Sequence, residues 1–175
     1  MGKYKKSCLV SILSIFILAL FSTCVYAASG PVMGNSREID NAKEYTSSKQ
    51  AKVTGTPRGR LLSSVDIELT DKGGGTMEVY ADMFCHEPMK ELRMWLYLEK
   101  WISEEEVWES IQYEQFSWEA KDFPDQDLTI AIANYEIPNL ERGQDYRVRG
   151  LFGADALTSS LSEAWTIKTP NFFME

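Results

Sequence analysis

The chain has 175 residues, 12% of them aromatic and 25% charged, and its 26 acidic residues outnumber its 18 basic ones for a net charge of −8. An acidic surface is repelled by nucleic acid and by anionic membrane surfaces, so neither is expected as a partner. With a single histidine and three cysteines, a catalytic zinc site is not expected, and we predict no metal and no cofactor.

The N-terminal residues follow the order of charge, apolar core and small residues that is typical of a secretory signal peptide. Residues 1–6 contain three lysines, residues 7–21 are uncharged and mainly apolar, and Val25-Tyr26-Ala27 fits the pattern that precedes a cleavage site. The apolar run is shorter than the about 20 residues that span a bilayer as a helix, which favours a signal over an anchor. We predict a signal peptide at residues 1–27, no transmembrane segment after its cleavage, and a secreted or cell-envelope-associated protein.

Cleavage would change the chemistry of the mature chain. It would remove Cys8 and Cys24, so Cys85 would have no cysteine partner and no internal disulfide could form. It would also remove three lysines, which leaves 15 basic against 26 acidic residues and a net charge of −11. The mature domain must therefore be stabilised by its core alone.

Residues 28–57 are polar and rich in Ser, Thr, Lys, Asn and Gly, with little apolar periodicity. Such a composition buries too little apolar surface to offset the cost of ordering the backbone. We interpret this segment as a flexible polar spacer, with a short strand or helix near residues 39–45 as the alternative.

From Arg58 onward the chain alternates apolar and polar residues with a period of two, which is the pattern of half-buried strands. Residues 64–69 and 77–83 alternate in this way on either side of the glycines at 73–75, which adopt the positive φ of a hairpin turn at little cost. No Gly-Lys-Ser or Gly-Lys-Thr follows, so a hairpin is favoured over a phosphate-binding loop. Residues 92–101 are apolar or aromatic on both faces, which is typical of a central strand.

Residues 103–116 fit two different structures. Ser103 and Glu106 fit a helix capping box, and Val107 and Ile111 have helical spacing. The same residues also alternate between the two faces of a strand, and they follow directly after a strong strand. We favour a hairpin over a helix here, against local propensity.

Further strands are predicted at residues 128–133, 146–152 and 162–169, and residues 171–175 are predicted to be a C-terminal tail. The total is about seven strands joined by turns, with no crossover helix between them. This pattern predicts an all-β fold over residues 58–170, an antiparallel β-sandwich. An immunoglobulin-like or fibronectin type III-like arrangement is favoured, and a jelly roll is the alternative.

Gly143 and Tyr146 fit the tyrosine corner of such sandwiches, in which a tyrosine after a turn forms a hydrogen bond to the backbone a few residues upstream. We therefore expect Tyr146 to be structural, with its ring in the core. Arg147 and Arg149 would then lie on the solvent face, paired with neighbouring acids. A binding role for the two arginines is the alternative.

Few residues have the chemistry of catalysis, and we predict no catalytic residue. Cys85 and His86 are adjacent, and adjacent residues of a strand point to opposite faces, so they are not expected to form a nucleophile pair. Asp122, Asp125 and Asp127 could bind calcium, but they lack the EF-hand spacing, and a solvated acidic loop is favoured.

The aromatic residues offer the clearest candidate for a binding site. Five of them are predicted to share the outer face of one sheet: Trp95, Tyr97, Trp101, Trp108 and Trp118. They would either pack as core or form an exposed platform for sugar rings or a partner protein, since a large exposed apolar patch usually marks a binding site.

The chain resembles an uncharacterised family of small secreted proteins of Gram-positive bacteria. The resemblance rests on Arg58-Gly59, on Tyr97-Leu98-Glu99-Lys100-Trp101 followed by Trp108, and on Gly143 with Tyr146-Arg147-Val148-Arg149-Gly150. It covers most of residues 58–169, although the family has a short glycine turn where this chain has residues 103–106. The resemblance implies an extracellular sandwich and supplies no catalytic residues.

Three functions are compatible with these observations. The first is a secreted, non-enzymatic binding or envelope-associated module whose partner is an unknown protein or glycan at the cell surface. The second is a hydrolase that uses paired carboxylates on a carbohydrate or envelope polymer, and the third is a structural surface protein that associates with itself.

Overall fold

The computed structural model describes residues 36–175, so the predicted signal peptide and residues 28–35 lie outside the described part. The described residues form eleven strands and one short 3-10 helix, Ala120–Asp122. The strands are β1 (Arg37–Glu38), β2 (Lys43–Thr46), β3 (Gln50–Gly55), β4 (Leu62–Gly73), β5 (Thr76–Cys85), β6 (Met89–Ile102), β7 (Val107–Glu119), β8 (Ile130–Ile137), β9 (Gln144–Ala156), β10 (Ser162–Lys168) and β11 (Phe172–Met174).

The strands form two sheets that pack face to face, which confirms the predicted all-β sandwich. The six-stranded sheet has the order β1-β10-β9-β6-β7, and β11 pairs with the start of β9. The five-stranded sheet has the order β2-β3-β4-β5-β8. All pairings are antiparallel except that of β1 with β10.

The core lies between the two sheets and follows the alternation seen in the sequence. One face of each strand contributes the buried side chains, among them Val65, Ile67, Leu69, Met77, Val79, Leu92, Met94, Leu96, Leu98, Val148, Phe152, Trp165 and Ile167. Each apolar side chain of this size contributes about 1.5–3 kcal/mol when it is fully buried. The core thus holds the fold in a chain whose one described cysteine, Cys85, is a free thiol.

The predicted glycine turn joins β4 to β5. Gly74 and Gly75 are the two residues between the strands, and their φ angles are +65° and +78°. A two-residue hairpin needs positive φ at these positions, which glycine adopts without a steric penalty.

The interpretation of residues 28–57 as a flexible spacer is wrong for the part that the structure describes. That part forms β1, β2 and β3, and the side chains of Ile39, Ala51 and Val53 are buried in the core. The backbone N–H of Ile39 donates a hydrogen bond to the carbonyl of Thr166, 3.0 Å away. These strands are short and polar on their outer face. Their few apolar side chains are enough to order them, because these side chains pack against the core that the other strands of the two sheets form.

The predicted C-terminal tail is also a strand. β11 pairs with the start of β9, and Phe172 and Met174 are fully buried. The N–H of Gly143 donates a hydrogen bond to the carbonyl of Met174, 2.7 Å away. Alternate residues of this segment therefore belong to the core, a pattern too short to recognise in the sequence.

The alternative between helix and hairpin at residues 103–116 is settled as a hairpin, as favoured. β6 and β7 pair from Glu91↔Glu119 to Ile102↔Val107, and the turn comprises residues 103–106. Glu106 adopts a φ of +55° in this turn, a conformation in which glycine is the usual residue. The β7 strand carries a bulge at Ile111, since Gln112 faces Leu98 and Ser110 faces Glu99.

The connection between β3 and β4 is held by one buried carboxylate. Glu163 accepts hydrogen bonds from the backbone N–H of Arg60 (2.6 Å) and of Leu61 (3.1 Å). Burial opposes ionisation, but these hydrogen bonds outweigh it and hold the pKa of Glu163 below its ordinary value. A side chain at Gly59 would overlap the Oε2 atom of Glu163, so the connection needs glycine at that position.

Candidate functional site

The structure brings four of the five predicted aromatic residues together on the outer face of the six-stranded sheet. Trp95, Tyr97 and Trp101 alternate along β6, and Trp108 of β7 lies directly opposite Trp101. The two indole rings of Trp101 and Trp108 are 5.4 Å apart between centroids and tilted by 54°. Tyr97 stacks on Tyr113 at 5.8 Å.

Trp118 does not belong to this face, which corrects the prediction. It pairs with Leu92, an inward-facing residue, and stacks on Phe116 at 6.0 Å against the main core. The bulge at Ile111 inserts one residue into β7, so positions after it point to the opposite face from the one that simple alternation gives. Trp108 precedes the bulge and Trp118 follows it.

The aromatic face has a buried part and an exposed part. Trp95 and Tyr97 are only 4% exposed and form a small apolar cluster with Leu151. Trp101 and Trp108, near the β6–β7 turn, are half-buried. Trp95 and Tyr97 are therefore core residues, whereas Trp101 and Trp108 are partly accessible to solvent.

The two arginines of β9 lie on this face and share one acid. The side chain of Glu99 is 7% exposed, and its Oε2 is 2.6 Å from Nε of Arg147 while its Oε1 is 2.7 Å from Nε of Arg149. Arg147 also lies over the ring of Trp108 at 4.3 Å, and Arg149 over the ring of Tyr97 at 4.2 Å. Cation–π contacts and a shared carboxylate thus fix the aromatic rings and both guanidinium groups in one layer.

The residues of the predicted corner have the expected contact. Tyr146 is 1% exposed, and its hydroxyl donates a hydrogen bond to the backbone carbonyl of Glu141, 3.0 Å away. Gly143 lies between them with a φ of +76°. Burial raises the pKa of Tyr146 above its ordinary value, so the hydroxyl stays protonated as a donor. The hydrogen bond closes the turn that leads into the two arginines.

Cys85 and His86 do not have the environment of a nucleophile pair. Cys85 is half-buried at the end of β5, whereas His86 is exposed in the following turn. Burial, and to a lesser extent the nearby carboxylate of Glu163, raise the pKa of the Cys85 thiol to about 12. A reactive cysteine has a lowered pKa, so the environment of this thiol is that of an unreactive one.

A carboxyl pair that sequence reasoning missed lies on the outer face of the five-stranded sheet. Asp66 of β4 and Asp82 of β5 are direct cross-strand neighbours, and the Oδ1 atom of each is buried without a hydrogen-bond partner among the described residues. Burial raises the pKa of Asp82, the facing carboxyl of Asp66 raises it further, and a hydrogen bond from the hydroxyl of Tyr80 (3.0 Å) opposes both effects. Counting outward from the glycine turn would place Asp66 opposite Met83; the irregularity between Asp71 and Gly73 shifts the register by one residue and brings Asp66 opposite Asp82.

The three aspartates of the predicted acidic loop, Asp122, Asp125 and Asp127, are exposed. Within residues 36–175 no group of three or more histidine, cysteine or acidic side chains has the geometry to hold a metal ion. Over the same range, no helix has both the length and the apolar character needed to cross a membrane.

Comparison with protein-family models, with curated proteins and with solved structures finds no match to this chain.

Proposed function

We propose that this protein is a secreted, non-enzymatic binding module of the cell envelope, with its binding site at the β6–β7 end of the aromatic face. The observation that carries the proposal is the tilted pair of half-buried indole rings of Trp101 and Trp108. Arg147 packs on one face of Trp108, so that ring is held in place before any ligand arrives. A pre-positioned aromatic surface loses little conformational freedom on binding.

A glycan is the ligand that these contacts favour. Partly accessible indole rings offer apolar surface to the C–H groups of a sugar ring, and the two arginines are already paired with Glu99. The net charge of −11 disfavours acidic polymers, so a neutral or basic glycan fits best. A partner protein is the other occupant that an aromatic patch of this kind could take.

The test is a glycan array probed with residues 28–175, together with Trp101→Ala and Trp108→Ala. Each substitution should weaken binding at least about tenfold, as is usual for a central tryptophan of an interface. Tyr45→Ala is the matched control, because Tyr45 is an exposed aromatic residue of the other sheet. A second experiment, a pull-down from envelope extract, tests for a partner protein. A blank array with a protein captured only when Trp101 and Trp108 are intact would change the ligand class from glycan to protein. No binding in either experiment would contradict the proposal.

Secretion is part of the same proposal and rests on the order of residues at the N-terminus. Expression of the full chain in a secreting bacterial host should give a product outside the cytoplasm. N-terminal sequencing of that product should begin at Ala28. A product that keeps Met1 would contradict the signal peptide.

The finer fold assignment that we propose is immunoglobulin-like or fibronectin type III-like. In that topology strands A, B and E form one sheet while C, F and G form the other. The order β4-β5-β8 corresponds to A, B and E, and β6-β9-β10 corresponds to C, F and G. The hydrogen bond of Tyr146 near the start of β9 supports the same assignment.

The carboxylate-dependent hydrolase is kept as a second candidate because Asp82 has a raised pKa and faces Asp66. Pairs of carboxyl groups with different pKa values serve as acid and base in sugar hydrolysis. Incubation with a panel of envelope polysaccharides, with Asp82→Asn as the control, tests it. Absence of any release of reducing ends by the unaltered protein would eliminate this candidate.

A further inference from the structure

The four outer edges of the two sheets are protected to different degrees in the described chain. β1 has two residues and β2 has four, and both carry charged side chains at the edge. β7 is interrupted by its bulge and carries several glutamates. Short length, charge and bulges are the usual means by which proteins prevent an edge strand from pairing with another chain.

β8 has few of these protections, since its single charged residue is Glu136, near its C-terminal end. It has eight residues, IAIANYEI, without lysine, arginine, proline or glycine, and its register with β5 is continuous from Ile130 to Ile137. Among the described residues it pairs with β5 alone, so its other edge offers unpaired backbone N–H and C=O groups. An edge of this length can accept an additional strand.

The first half of the outer side of β8 is also apolar. The side chains of Ile130 and Ile132 are 46% and 52% exposed, and Phe84 lies opposite Ile130 on β5. Ile130 and Ile132 border a groove of about 370 Å³ whose wall includes Trp118 and Phe123. That groove is large enough for one apolar side chain of an added strand.

The groove has an acidic border. Asp127 lines it, and Asp122 and Asp125 are exposed in the same loop. Lys121, the one cation of this loop, already pairs with Glu119 at 2.7 Å. A segment that carries lysine or arginine beside its apolar residues would complement this charge.

We propose that β8 is a docking edge for an extended segment of a partner protein, with alternating apolar and basic residues, which joins the five-stranded sheet as an additional strand. The apolar side chains pack on Ile130 and Ile132 and enter the groove, and the basic ones face the acidic loop. A second copy of this chain is disfavoured as the occupant, because two acidic loops and two net charges of −8 would be brought together. This surface is distinct from the aromatic face, so the proposal does not depend on the proposed function.

The test uses a fluorescent, N-acetylated octapeptide of alternating valine and lysine, and the same peptide with glutamate in place of lysine. Binding to residues 28–175 is followed by fluorescence anisotropy, and NMR amide shifts locate the contact. Ile132→Lys is the test variant, and Ile111→Lys is the control, because Ile111 is also exposed (41%, against 52% for Ile132) and lies on the edge of the other sheet. Both variants change the net charge equally, so only the edge contact distinguishes them.

We expect the lysine peptide to bind at least about tenfold more tightly than the glutamate peptide, and Ile132→Lys to remove most of that binding while Ile111→Lys retains it. The amide shifts should concentrate on β8. Equal loss in both variants, or no binding of the lysine peptide, would overturn the proposal. Light scattering that shows a dimer abolished by Ile132→Lys would also overturn it, because the occupant would then be a second copy.

Discussion

The carboxylate of Glu99 lies between the guanidinium groups of Arg147 and Arg149 and forms one short contact with each, at 2.6 and 2.7 Å. This explains why β9 can carry two arginines on a face rich in aromatic rings. The acid neutralises part of their charge, and the rings of Trp108 and Tyr97 cover the guanidinium planes.

Glu99→Gln should lower the free energy of unfolding by about 2 kcal/mol, because two charge-assisted hydrogen bonds are lost in a largely buried place. Chemical denaturation monitored by tryptophan fluorescence measures the change. Glu119→Gln is the control, since its pair with Lys121 is exposed and should contribute less than about 1 kcal/mol. Equal costs for the two substitutions would show that the shared carboxylate has no special role.

Glu163→Gln should also cost about 2 kcal/mol at pH 7, because an amide oxygen accepts the backbone hydrogen bonds of Arg60 and Leu61 less strongly than a carboxylate does. The pKa of Glu163 is lowered in the folded state. Its contribution is therefore present above the unfolded pKa of about 4.3 and is lost as the pH falls through the folded value.

The difference between Glu163→Gln and the unaltered protein should accordingly shrink in denaturation experiments below about pH 4. Glu87→Gln, at an exposed position in a turn, supplies the baseline. A difference that stays constant between pH 7 and pH 3 would contradict the role of the ionised carboxylate.

Asp82→Asn should have the opposite pH dependence. Because the pKa of Asp82 is raised, the folded state favours its protonated form, and the stability that this form provides is lost as the pH rises through the folded pKa. The asparagine variant should therefore gain stability relative to the unaltered protein as the pH rises from 4 to 7. Thermal denaturation at both pH values measures this gain, and a gain that does not depend on pH would argue against the carboxyl pair.

Tyr146→Phe should lower the free energy of unfolding by about 1 kcal/mol, the net contribution of one hydrogen bond. The ring keeps its place in the core, so the loss isolates the contact with the carbonyl of Glu141. Tyr45→Phe, at an exposed position, should cost nothing measurable. An unchanged denaturation midpoint for Tyr146→Phe would show that the hydroxyl does not stabilise the turn.

The sequence predicts those parts of the fold in which the period of two runs long enough, such as β4 to β6 with the glycine turn. The prediction from this period fails where one inserted residue reverses the alternation of side chains between the two faces of a strand. The residues around Ile111 do not indicate a bulge, because a bulge depends on the pairing with the partner strand. Trp118 is therefore predicted on the wrong face of the sheet. The carboxyl pair of Asp66 and Asp82 was missed for a related reason, since it exists only once the register of two strands is fixed.

Short edge strands are the other limit of prediction. Residues 50–55 bury only Ala51, Val53 and Gly55 on their inner face, a pattern that local composition hides among polar residues. Gly55 lies against the side chains of Ile39 and Ile167, so its burial reflects contacts with residues far along the chain. Such a strand is ordered by the sheet it joins and not by its own propensity.

The pairing of β3 with β4 has a practical consequence for anyone who shortens this protein. A recombinant fragment beginning at Arg58 would lack β3, and the twelve-residue strand β4 would become an edge strand with one side unpaired. Such a fragment should aggregate and precipitate. The intact protein should resist cleavage by trypsin after Lys52, because this residue lies in the middle of the paired strand β3. Cloning boundaries are therefore best placed upstream of Arg37.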